Sequence, residues 1–264
     1  MSMEIFTFLD LLPIWGVFLA TVAFVIVAIE LGQWLARVQL KRVKELNATS
    51  VGPMVGAILG LVAFMLAFTF GFAASRFEER KQIVQSEVNV IGTLNLRAGL
   101  MPEPITSETR RLLAQYVDIR LEGTHAGNLE QALEKSKEVH AALWSQALAA
   151  GRDGKPPINS LFIQSVNELI DTHSKRVTAG LRNRLPGPIW LALYSMMFLA
   201  MTAVGFQAGL SNAPRSLAAI IIVLAFSVVI SVIADLDRPG AGLIRVNQSG
   251  MTELKQELAQ PSPQ

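Results

Sequence analysis

Four apolar stretches, each long enough to cross a bilayer, decide most of what this chain can fold into. They run from about Ile14 to Leu35, Gly52 to Ser75, Ile189 to Leu210 and Leu217 to Ala234. A hydrocarbon core offers no water to a backbone N–H or C=O, so such segments must satisfy those groups internally, as helices. Trp15 and Trp34 bracket the first stretch. Along a helix they stand roughly 28 Å apart, close to the thickness of a hydrocarbon core. Aromatic side chains favour both interfaces, and Trp190 and Tyr194 stand near the entry of the third stretch. The N-terminus carries Glu4 and Asp10 where a secretory leader would be basic, so the first stretch reads as a retained anchor.

Composition narrows the function classes. Of 264 residues 51% are hydrophobic and 17% charged, and the net charge of +2 argues against a nucleic-acid partner. Without cysteine there is no disulfide, thiolate catalysis or Cys-ligated metal.

Between the second and third stretches lies a polar insertion, Arg76 to Pro186, that reads as helical throughout. Val84, Val88, Ile91 and Leu94 recur at helical spacing over Phe77–Arg97, and no Gly or Pro separates that run from the second stretch before Ile91. Pro102 and Pro104 end it, and Thr106-Ser107-Glu108 can open the next helix, with Leu112, Leu113, Tyr116, Val117 and Leu121 on its apolar face. A further helix spans about Asn128 to Ala150 and another about Asn159 to Arg184, separated by a loop over Gly151–Pro157. The fold class expected is an all-α membrane protein: four transmembrane helices with a helical cytoplasmic bundle inserted between the second and third. The segments are 1–75 (first pair of spans), 76–187 (bundle continuous with the second helix), 188–235 (second pair) and 236–264 (polar tail). Arginine and lysine are more numerous on the side of the bundle and both termini, which places these in the cytoplasm.

Chemistry-bearing patterns are sparse. His125, His140 and His173 lie on different segments without ligand spacing and read as ordinary surface or half-buried residues. Glu78 and Glu79 are adjacent and diverge around a helix, as surface carboxylates do. No phosphate loop, nucleophile elbow or zinc-protease pattern occurs, so no enzyme, cofactor or metal is expected. Asp235 and Asp237 follow the fourth stretch in Asp235-Leu-Asp-Arg-Pro-Gly-Ala-Gly242. Two carboxylates fall short of the six or more oxygens of a calcium site, and a polar turn ending the helix is the favoured reading.

The second stretch has a peculiar order: Gly52, Gly56 and Gly60, then Phe64, Phe68 and Phe72, then Arg76 and Arg80, all four apart. The glycines make two overlapping G-x-x-x-G motifs, suited to close helix packing in a bilayer. The phenylalanines face lipid or neighbouring helices, or, in a ring of identical helices, form an apolar constriction that can gate by dewetting. Four-residue steps overshoot a turn by about 40°, so the series marks depth along the helix and not a single stripe. Arg76 and Arg80 form a possible charge ring attractive to anions, or else snorkel to headgroups.

Phe64-Met-Leu-Ala-Phe68 followed by Arg76-Phe77 resembles the second helix of bestrophin chloride channels, with Ala67 where these carry Gly and Glu78 where they carry a second aromatic. LAFTFGFAASRFEERK together with DLDRPGAGLIRV resembles a bestrophin-like family of mainly bacterial membrane proteins, with Gly240 in place of an expected Phe. The tail motif carried by that likeness comprises Asp235, Asp237, Arg238, Pro239 and Gly242. The resemblance implies a homopentamer with the second helix lining a pore for small inorganic ions, more readily anions. Phe64 and Phe68 match the apolar neck, Phe72 continues it, and Gly60 stands where a third, larger neck residue would sit. The animal bestrophins' acidic calcium cluster is not reproduced, so calcium gating is not expected. The competing expectation is a non-conducting membrane scaffold or signalling protein whose bundle binds a partner.

Overall fold

The computed structural model describes residues 12–42, 48–123, 129–152, 156–211, 217–238 and 242–260. Among these it contains helices and no strand. In chain order they are α1 (Ile14–Arg42), α2 (Ala48–Ala98), α3 (Ile105–Glu122), α4 (Leu129–Gly151), α5 (Pro156–Val177), a π-helical turn (Thr178–Arg182), α6 (Gly187–Leu210), α7 (Leu217–Asp237) and α8 (Ser249–Ala259). Four of them, α1, α2, α6 and α7, are long and apolar enough to cross a membrane. The expected continuity of the second span with the first polar helix is present: α2 is one helix of 51 residues.

The chain forms two compact units. The first holds α1, α2 as far as Arg76, α6 and α7. Its central contact is α1 against α6, made by small residues. Gly32 lies so close to α6 that an added Cβ would overlap the Thr202 carbonyl oxygen, and one at Gly205 would overlap that of Ile29. At Gly209 a Cβ would stand 2.6 Å from the Ala36 methyl. In hydrocarbon, where burial of apolar area between helices gains little, such close approach increases the van der Waals contact that holds helices together. Beside this seam the Phe24 ring meets Tyr194 edge-on with centroids 5.4 Å apart, and the Tyr194 hydroxyl lies 3.1 Å from Thr21 Oγ1. Trp15 and Trp34 are exposed, but Trp190, read as an interfacial residue, is buried within the unit.

The second unit holds α2 from Phe77 onward, α3, α4, α5, the π turn and α8. Its core contains Ile91 and Leu94 from α2, Leu113, Tyr116 and Val117 from α3, Leu143 from α4, Phe162, Val166 and Leu169 from α5, and Met251 and Leu254 from α8. Three local readings need correction. Helix α3 begins at Ile105, and Thr106 does not cap it: its hydroxyl points back into the α2–α3 turn, 2.6 Å from the Met101 carbonyl oxygen and 2.9 Å from that of Ala98, with its one hydrogen shared between them. Pro156 and Pro157, read as loop, open α5, because a proline lacks only an N–H that the first turn would leave unpaired anyway. The tail, read as polar, carries α8, whose Met251 and Leu254 supply the apolar stripe that docks it.

Candidate functional site

Phe64, Phe68 and Phe72 form a ladder along α2. Neighbouring rings stand 5.8 and 5.7 Å apart, centroid to centroid, and tilted, the geometry in which aromatic quadrupoles attract. The three side chains are 63%, 60% and 45% exposed, so the chain leaves its own ladder uncovered. The glycines of the same series part company. A Cβ at Gly52 would lie 3.2 Å from Gln207 Nε2, whereas one at Gly56 or Gly60 would meet nothing within 4 Å. Between the apolar helices, the close approaches fall instead at Gly32, Gly205 and Gly209. The sequence held that signal in Ala28-x₃-Gly32-x₃-Ala36 and Gly205-x₃-Gly209. Arg76 is half-buried and Arg80 is buried, at 7% exposure, so little of Arg80's charge faces solvent.

The end of α7 is a self-contained clasp. The Asp235 carboxylate accepts the backbone N–H groups of Leu243 at 3.0 Å and Ile244 at 2.9 Å. Asp237 accepts the Leu185 N–H at 2.8 Å and pairs with Arg184 at 3.7 Å. Arg238 donates to the Leu12 carbonyl at 2.7 Å. Gly242 has φ of +134°, a conformation L-residues rarely adopt, and any Cβ there would strike the Asp235 carboxylate. Both acidic side chains therefore serve backbone donors, the polar-turn reading of this motif. Pro239 and Gly240 lie outside the described residues.

Sequence reasoning missed a second constellation, buried in the helical bundle. Glu87 of α2 is fully buried and forms its hub. Tyr116 Oη donates to Glu87 Oε1 at 2.6 Å, Arg120 Nε stands 3.3 Å from the same oxygen, and Arg176 pairs with Oε2. Arg176 also donates to Gln248 Oε1 at 3.2 Å. Because the one hydroxyl proton of Tyr116 goes to the carboxylate, its contact of 3.1 Å with His173 Nδ1 requires that nitrogen to carry hydrogen. The His140 ring packs edge to face on His173 with centroids 4.6 Å apart. The two histidines, read as surface or half-buried residues, are thus buried partners. Burial pushes the Glu87 carboxyl up, but Arg176, Arg120 and the Tyr116 hydroxyl outweigh it and hold it below the usual value. Burial, then the Glu87 charge, push the Tyr116 hydroxyl well up. Each member sits at a core register: Glu87 between Val84 and Ile91, Arg120 one turn from Val117, His140 beside Val139, His173 one turn from Leu169. A charged residue inside an apolar periodicity was the available signal.

Among the described residues no group of three or more His, Asp or Glu is placed to hold a metal ion. An open groove of about 580 Å³ in the second unit is lined by Glu79, Gln82, Ser86, Ser174, Lys175 and Asn183, among others.

A bestrophin-like domain model matches residues 18–251. A bacterial bestrophin homologue from Klebsiella pneumoniae shares the fold with a TM-score of 0.62 at 17% identity, over 92% of this chain and 96% of the other. A point variant of a homologue from the same organism gives 0.62 at 18% identity, over 94% and 99%. A structure described as a membrane protein with a point substitution gives 0.63 at 17% identity, over 93% and 97%. At these identities the likeness is one of fold. No curated protein matches the chain by sequence.

Proposed function

The chain belongs to the bestrophin-like family, and from that premise we propose that it is an oligomeric ion channel, pentameric by the family likeness, with Phe64 and Phe68 of each copy lining an apolar neck. The observation that carries this reading is the uncovered aromatic ladder. Three phenylalanines in ring contact along a helix able to span the membrane, beside the open Gly56 and Gly60, make a surface that the protomer does not use itself. In a ring of copies such a surface narrows a pore by excluding water. Phenyl edges are weakly positive, which favours anions over cations at the constriction. Gly60 leaves its level of the neck wide. The chain is a multi-pass membrane protein; the reading places it in a bacterial inner membrane with the bundle and both termini in the cytoplasm.

The test is halide flux into vesicles carrying the purified protein, together with its mass in mild detergent. Phe64→Ala/Phe68→Ala is expected to raise flux by widening the neck, in an assembly of unchanged mass. Unchanged flux in the double variant removes the neck assignment. A monomer or dimer that passes no ion removes the channel. The remaining reading is then a scaffold whose bundle binds a partner, for which the groove beside Lys175 and Glu79 is the supporting feature.

A further inference from the structure

His140 and His173 stand at the centre of the helical bundle, each 8% exposed. The charged and titratable groups facing them come from four helices: Glu87 from α2, Tyr116 and Arg120 from α3, His140 itself from α4, and His173 and Arg176 from α5. Glu87 is the one carboxylate in this set. Its two oxygens already accept from Tyr116 and Arg176, and the Arg120 Nε stands 3.3 Å from one of them as an ion pair. His173 spends its Nδ1 on Tyr116, and His140 Nε2 is buried with no hydrogen-bond partner among the described residues. A proton added at His140 Nε2 therefore finds no acceptor among the described residues, and any charge placed on either ring meets the Arg120 guanidinium, with Arg176 acting on His173 as well. A charge buried without a counter-ion is among the costliest things a core can hold.

We propose that the His140–His173 pair is an acid-sensitive latch of the helical bundle: neutral, it packs α4 and α5 onto α2 and α3; protonated, it forces them apart. The device concerns the bundle alone and stands whether or not the chain conducts ions. Burial first, and Arg120 second, push His140 down to about 4 and His173 to about 3 from the ordinary 6.5. Once the bundle opens, water restores the ordinary value. The closed form is thus fully favoured above pH 6.5. Below it, the open form binds protons that the closed form refuses, and the closed form loses up to about tenfold per pH unit for each histidine, until its own rings titrate. Glu87 does not confuse this window. Its lowered value means that its contribution fades only below the ordinary carboxylate value of 4.5.

The test is amide hydrogen exchange on the full chain in lipid nanodiscs, corrected for the intrinsic pH dependence, between pH 7 and pH 5. Protection in α4 and α5 is expected to fall at least tenfold in the unsubstituted protein and to hold steady in His140→Asn/His173→Asn. Constant protection in the unsubstituted protein overturns the proposal, as does an equal loss in the double variant. A second measurement stands if that variant does not fold. In a His125→Asn background with ¹³C-labelled histidine, both remaining rings are expected to stay neutral until protection is lost. A ring that titrates near 6.5 with protection intact overturns the latch.

Discussion

At Gly205 a single hydrogen atom decides how near α1 and α6 can lie, because the Ile29 carbonyl oxygen occupies the place of a Cβ. Gly205→Leu is expected to destabilise the protein by about 1–3 kcal/mol or more, since neither backbone can yield locally. The measurement is its melting temperature in detergent. Gly60→Leu is the matched control: a Cβ there meets nothing within 4 Å, and the substitution should shift stability by no more than about 0.5 kcal/mol. On the channel reading it should still lower halide flux by filling the wide level of the neck. Glu87 stands at the opposite extreme of residue-scale cost. Glu87→Ala leaves Arg120 and Arg176 buried without their anion, and a loss of about 3–5 kcal/mol is expected in the unfolding of the bundle.

Among the elements, α8 shows how little apolar surface suffices to dock a helix. Eleven residues, polar for the most part, bury Met251 and Leu254 in the core of the second unit. Its Lys255 pairs with Asp118 at 2.7 Å, about half exposed on both sides and so screened by water. Met251→Ala or Leu254→Ala should each cost about 2–5 kcal/mol, while Lys255→Ala should cost no more than about 1 kcal/mol. Denaturant titration of the three variants separates packing from charge. Helix α2 poses the converse case. Its apolar and polar halves read as one helix because nothing between them breaks it, and Val84, Ile91 and Leu94 do face the core as their spacing requires. Yet its one decisive polar residue, Glu87, shares that spacing and went unread, because periodicity counts positions and does not say which charge will find a partner.

For the molecule as a whole, the two units rest on different physics. The first is joined by small residues and van der Waals contact between apolar helices, the second by a conventional hydrophobic core around a polar hub. The chain leaves Phe64, Phe68, Phe72 and Leu61 exposed on its apolar second helix. A mass of several copies in mild detergent is accordingly expected of the purified chain, and a monomer would withdraw the pore. What the sequence by itself determined is what depends on neighbours along the chain: four spans, the long second helix, the helical insertion, and the clasp motif whose family likeness was legible in Asp235, Asp237 and Gly242. Hydropathy, helical period and turn chemistry are local, so they survive without coordinates. What only the tertiary structure decided is which residues meet across the fold. Glu87, Arg120, His140 and Arg176 lie on four helices far apart in sequence, and each alone looks like an ordinary polar residue. Their meaning comes from a shared dry interior, where a charge must be paired and a histidine must stay neutral, and no count along the chain can show that the interior is shared.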